Sequence, residues 1–135
     1  MKIIVINPGK EPQLKDIESM QSQITLFYKE FFNAKLGHLP SAKDDYEFRI
    51  AENLSIFIGT TPGGFMDKSK PYNFDIEYPN RTEDEIYGTA IFARYDRRTF
   101  KVIDVSEEDF RDVKNHFKDS RLNLGGIRTV IELFR

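Results

Sequence analysis

Cysteine and tryptophan are missing from this 135-residue chain, and histidine occurs only twice. Without cysteine there is no disulfide framework, no thiolate metal site and no cysteine nucleophile. Two histidines, His38 and His116, fall short of a multi-histidine metal centre. Long apolar runs are lacking as well. None approaches the roughly 20 residues that cross a bilayer, and the apolar block at residues 2–6 stops at Pro8, too early for a secretory signal. Nor does one charge dominate: 20 Lys+Arg face 22 Asp+Glu, for a formal net charge of −2. A nucleic-acid binder gathers a clear basic excess, because its affinity comes largely from neutralising phosphates. These absences predict a cytoplasmic single-domain protein without metal, cofactor or membrane span; separate cores appear only above roughly 250 residues.

The apolar patterning predicts an α+β domain over 1–135, a mostly antiparallel sheet of four to six strands with two main helices packed on it. Residues 2–6 are apolar on both faces, as an interior strand is, and Asn7-Pro8-Gly9 ends them. Residues 13–18 admit two readings. They either begin a long helix behind Pro12 or pair back on the first strand, with the helix starting near Ser19 as its N-cap. In both, Ile24, Phe27, Tyr28 and Phe31 recur at helical steps and predict a helix over about 20–32. Residues 33–45 form a connection with room for a short strand at 34–39. Tyr46, Phe48 and Ile50 alternate with Glu47, Arg49 and Ala51, the signature of a half-buried strand with its charged residues outward. A further strand follows at 54–58, behind a tight turn at Glu52-Asn53. Residues 59–84 carry no clear pattern and read as an irregular loop. One strand is expected over 85–95, a turn at Asp96-Arg97-Arg98, and another strand over 99–105 with Phe100, Val102 and Ile103 apolar. Ser106-Glu107-Glu108-Asp109 matches a capping box and places carboxylates where the helix dipole favours them, predicting a helix to about Lys118. Gly125-Gly126 interrupts a tail at 120–135, whose residues from 127 suit either a strand or a helical turn.

Few residues suggest chemistry. Gly59-Thr60-Thr61-Pro62-Gly63-Gly64 follows a strand as a phosphate loop does, but it lacks the Gly-Lys-Ser/Thr that reaches phosphate and magnesium, and Pro62 removes an amide. A plain loop is the simpler reading. His38 has no carboxylate placed to orient it, and Asp112 four residues before His116 suggests a surface ion pair. Acidic clusters at 44–47, 83–85 and 104–109 lie at turns and a helix start, where carboxylates occur without metal or glycosyl chemistry. Charge is nonetheless unevenly spread. Residues 46–90 hold four basic and eight acidic side chains, whereas 91–135 hold ten and eight. Arg94, Arg97, Arg98 and Lys101, around one turn, are a candidate nucleic-acid patch. Phe65, Tyr72, Phe74 and Tyr78, beside Asp75, Glu77, Glu83, Asp84 and Glu85, are a candidate partner-binding surface. Loop aromatics anchor interfaces, and an acidic loop face complements a basic one.

The opening Met1-Lys2-Ile3-Ile4-Val5-Ile6-Asn7-Pro8-Gly9-Lys10-Glu11-Pro12 resembles the start of a small domain-of-unknown-function family, number 3846 in that series, carried by phages and mobile elements of bacteria. Counterparts of that family's further features are a helical glutamine at Gln21 or Gln23, a Pro-x-Asn step at Pro71-Tyr72-Asn73, a glycine-headed strand at Gly88-Thr89-Ala90-Ile91-Phe92, and a closing helix at residues 106–117. The resemblance spans residues 1–118 and rests on the opening residues and the order of elements. Residues 33–45 are longer than the family's pattern, and the Gly-Gly bend and tail are additional. The resemblance favours the hairpin for 13–18 and implies no catalytic residues. Its implied setting is that of small phage proteins that bind and inhibit host machinery. The expectation is therefore a non-enzymatic protein that binds a host protein, such as a CRISPR nuclease or another defence component, through the 59–84 loop in the host cytoplasm. The alternative is a nucleic-acid-associated accessory module using the basic turn.

Overall fold

A computed structural model of the chain describes residues 1–19, 21–32, 47–61 and 65–127. The first strand, β1 (Lys2–Ile6), buries Ile3, Ile4, Val5 and Ile6, so it must lie inside a sheet. A turn closed by the Lys10 amide donating to the Asn7 carbonyl at 3.0 Å, with Gly9 at φ +75, returns the chain as β2 (Gln13–Asp16). Val5 pairs with Gln13 and Lys2 with Asp16, antiparallel, which decides 13–18 in favour of the hairpin. The terminal amine reinforces it with bonds to Asp16 and to the Ile17 carbonyl. Helix α1 (Ile24–Phe32) begins later than the Ser19 cap requires, because the Ser19 hydroxyl serves the backbone of Gln21 in a preceding turn. The Ile24 amide, an orphan donor of the first helical turn, instead meets the Phe100 carbonyl at 2.8 Å.

The larger sheet runs β2–β1–β7–β4–β3, with β7 (Ala90–Asp96), β4 (Leu54–Ile58) and β3 (Glu47–Arg49), while β8 (Lys101–Ile103) extends the end of β7; all its pairs are antiparallel. α1 buries Ile24, Phe27 and Tyr28, and the Tyr28 hydroxyl donates to the Ile58 carbonyl of β4. β8 buries Val102 and leaves Ile103 exposed, because alternation puts only one face of the strand inside. Phe100, where the sequence suggested core, precedes the strand in the turn at φ +58 and is exposed as well.

A second sheet was not expected. Residues 59–84, read as an irregular loop, contain β5 (Tyr72–Glu77), which forms a hairpin with β6 (Glu83–Tyr87). The order is β6–β5–β10–β9, with β10 (Arg121–Asn123) parallel to β5 and β9 (Phe117–Lys118) antiparallel to β10. The single strand expected over 85–95 is thus two strands in different sheets. The break falls at Gly88, whose φ of +78 no strand residue adopts. Asn73, buried in β5, joins the sheets: its amide nitrogen donates to the carbonyls of Ile6 at 2.8 Å and Gly88 at 2.7 Å. One apolar core is common to both sheets and both helices.

Helix α2 (Glu107–His116) opens with the expected capping box: the Asp109 amide donates to the Ser106 hydroxyl, and the Ser106 amide donates to the Asp109 carboxylate. It ends at His116, where Phe117 turns extended to enter β9. Nδ1 of His116 lies 2.8 Å from the Asp112 carbonyl, so the contact runs to backbone and not to the carboxylate that the spacing suggested. Leu124–Gly126 form a turn of 3-10 helix. His38, Tyr46, the strand at 34–39 and the tail from 128 lie outside the described residues. Among those described, no helix is long and apolar enough to cross a membrane.

Three outcomes are expected. Gly88→Ala forces a side chain into positive φ and brings its Cβ to about 3.3 Å from Lys70; it should cost about 1–2 kcal/mol in urea denaturation. Asp109 binds Arg94 through both oxygens, at 2.6 and 2.7 Å. Burial alone pushes its carboxyl up, but Arg94 and the Ser106 bonds outweigh burial and hold it down to about 2. Its contribution is therefore present above the ordinary carboxylate range and is lost as pH falls toward 2. Asp109→Ala should cost roughly 3 kcal/mol at neutral pH, and Asp109→Asn should flatten the decline of stability between about pH 4 and 2.

Candidate partner-binding face

Strand alternation gives the small sheet two unlike faces. Phe74, Ile76, Ile86 and Leu122 point into the core, with Tyr78 beyond them, while Asp75, Glu77, Glu83, Glu85 and Tyr87 lie on the outer side. A register shift between Tyr72 and Phe74 lets Asn73 turn inward to its two carbonyls while Tyr72 stays 42% exposed. The Tyr72 and Tyr87 rings then meet edge to face at 5.8 Å.

The register sets acid against acid. Asp75 is directly opposite Glu85, and Glu77 is opposite Glu83. Arg121 of β10 offsets the second pair, its Nη1 reaching Glu77 at 2.6 Å and Glu83 at 2.9 Å. No described cation forms an ion pair with Asp75 or Glu85, and Asp75 Oδ1 is buried without a hydrogen-bond partner. The Tyr87 hydroxyl donates to Glu85 at 3.0 Å, which raises its pKa. Partial burial and the nearby Asp75 and Glu85 charges push Tyr72 up to about 12, against the opposite pull of Arg121. The outer face thus carries four carboxylates, two protonated tyrosine donors and one guanidinium.

The sequence-predicted surface is divided by this geometry. Tyr72, Asp75, Glu77, Glu83 and Glu85 share the outer face. Phe74 and Tyr78 are corrected to the core side, and Asp84 follows them there, accepting from the Tyr78 hydroxyl at 2.5 Å. Phe65, 64% exposed, lies off the sheet but lines a groove together with Glu83, Asp84 and Glu85. Tyr87 and Arg121 were missed. Tyr87 continues the period of Glu83 and Glu85 and would have been found had Gly88 been read as a strand end; Arg121 comes from a distant strand and leaves no local signal.

The basic turn does not assemble. Arg94 is taken by Asp109, and Arg97 lies over the Tyr95 ring at 4.6 Å, donating to Tyr95, Ser55 and the Glu52 carbonyl. Arg98 and Lys101 remain exposed. Behind Arg97 is a polar cluster that the pattern at 46–51 concealed: Glu47, expected at the surface, is 2% exposed. Its Oε2 accepts from Ser55 at 2.8 Å and Tyr95 at 2.6 Å, with Arg97 at 3.4 Å. Burial and then the Glu47 carboxylate raise the Tyr95 hydroxyl, keeping it a donor. Among the described residues no three carboxylates or imidazoles gather to hold a metal. No family model, characterised protein or solved structure matches the chain.

Like charges directly opposite on a sheet destabilise it. Glu85→Lys, facing Asp75, should therefore raise Tm by about 1–2 °C at low salt, with a smaller gain in concentrated salt. A lowered Tm would show that the pair is not repulsive.

Proposed function

We propose that this chain is a non-enzymatic binding protein of a phage or mobile element, which docks its acidic β5–β6 face on a basic, nucleic-acid-binding surface of a host defence nuclease of the CRISPR kind and blocks it. The observation that carries this reading is the outer face itself, where Asp75, Glu77, Glu83 and Glu85 lie together, a guanidinium reaches only Glu77 and Glu83 among them, and Tyr72 and Tyr87 flank the group. Carboxylates two residues apart along a strand repeat at about 6.7 Å, so the face presents a regular row of negative charge. Such a face competes for cationic grooves that hold nucleic acid, and the tyrosines supply anchors of the kind that dominate interface energetics. The phage setting comes from the resemblance of the opening residues. The alternative, a nucleic-acid-associated module, keeps only Arg98 and Lys101, because Arg94 and Arg97 are engaged by Asp109 and Glu47.

Target-DNA cleavage by a panel of CRISPR nucleases, measured with and without the protein, tests the proposal. Inhibition of at least one nuclease is expected, weakening as salt rises and relieved more than about tenfold by Glu77→Lys, Glu83→Lys and Glu85→Lys together. Inhibition unchanged by the triple reversal, or no inhibition across the panel, overturns it. Retention of free DNA by the native protein at low salt restores the alternative.

A further inference from the structure

The acidic face ends at a strand edge whose backbone takes no partner strand among the described residues. The Asp75 amide donates to the Ser120 carbonyl at 2.9 Å, away from β6, so Asp75 and Glu85 are a non-hydrogen-bonded pair. The Tyr78 amide donates to the Thr82 carbonyl at 2.9 Å, and alternation from that bonded pair gives the same result for Glu77 and Glu83. The amides and carbonyls of Glu83 and Glu85 therefore point outward from the sheet. Among the described residues β6 pairs with β5 alone.

Beside this edge lies a groove of about 740 Å³, lined by Glu83, Asp84 and Glu85 of β6 together with Phe48, Phe65, Met66 and Lys68. Phe65 is the most exposed large apolar residue described. A strand edge that shares a groove with apolar side chains suits one class of occupant, an extended chain that completes the sheet while its alternate side chains meet Phe48, Phe65 and Met66. A second copy of this protein is disfavoured there, because two β6 strands side by side set Glu83 and Glu85 of one against those of the other.

We propose that β6 receives an extended segment of the partner protein as an added strand, with Lys or Arg at the positions beside Glu83 and Glu85 and apolar residues at the alternate positions, against Phe48, Phe65 and Met66. This deepens the docking reading above and rests on it for the acidic face. The added strand bonds the outward amides and carbonyls of Glu83 and Glu85, which take no partner strand among the described residues, and the carboxylates select the basic register.

A seven-residue peptide alternating Arg and Val, fluorescently labelled, tests the edge directly. It is expected to bind the whole protein and to slow hydrogen exchange at the Glu83 and Glu85 amides. Phe65→Ala should weaken it several-fold, and N-methylation of the peptide amides on the bonding side should weaken it at least tenfold. Equal affinity for the methylated peptide, or no binding of the parent, overturns strand addition. So does a dimer that forms through β6. Nuclease inhibition that persists while the peptide fails leaves the acidic face intact without the added strand; peptide binding with every nuclease unaffected supports the edge and removes the proposed target.

Discussion

The small sheet has its place because of one buried side chain. Asn73 lies in β5, yet its amide bonds the carbonyl of Ile6 in the larger sheet and that of Gly88 at the point where the chain passes between sheets. Hydrogen bonds of this kind are strong in a low-dielectric interior and costly to leave half-made. They pin the hairpin at the angle that turns Phe74 and Ile86 into the common core. The acidic face is the reverse side of the same strands, so its position is a consequence of that bond.

Charge is handled in two ways in this molecule. Inside, Arg94 with Asp109 and Arg97 with Glu47 are paired and multiply hydrogen-bonded, the condition under which buried ions are tolerated. Both arginines come from β7 or the turn after it, and both are drawn back to the body of the protein. Outside, the β5–β6 hairpin leaves carboxylates facing carboxylates with a single arginine between them. A surface under selection for stability alone would intersperse opposite charges. Carboxylates set in a row on one face complement a cationic surface, and the same charges disfavour pairing of β6 with a second copy of itself.

Several elements were legible because their causes are local. The apolar run at Ile3–Ile6 and the largely apolar run at Leu54–Ile58, both short and rich in β-branched residues, read as interior strands. Ser106 and Asp109 cap α2 through bonds that span three residues, so the helix start is written in four consecutive letters. The acidic character of residues 75–85 was visible in the same way, as was the prominence of Tyr72.

Other features have causes far apart in the chain. Glu47 is buried because Ser55, Tyr95 and Arg97 converge on it from 8, 48 and 50 residues away, and nothing in the alternation around it distinguishes it from a solvated glutamate. The run from Glu83 to Asp96 looks continuous in composition, but Gly88 and its neighbour Asn73 send its halves to different sheets. Arg121 joins the acidic face through a parallel pairing with β5 across more than forty residues. Periodicity and capping reach only to the next turn, so they assign a residue its element. Which sheet that element joins, and which side of it meets water, is set by long-range pairing that no short window of residues contains.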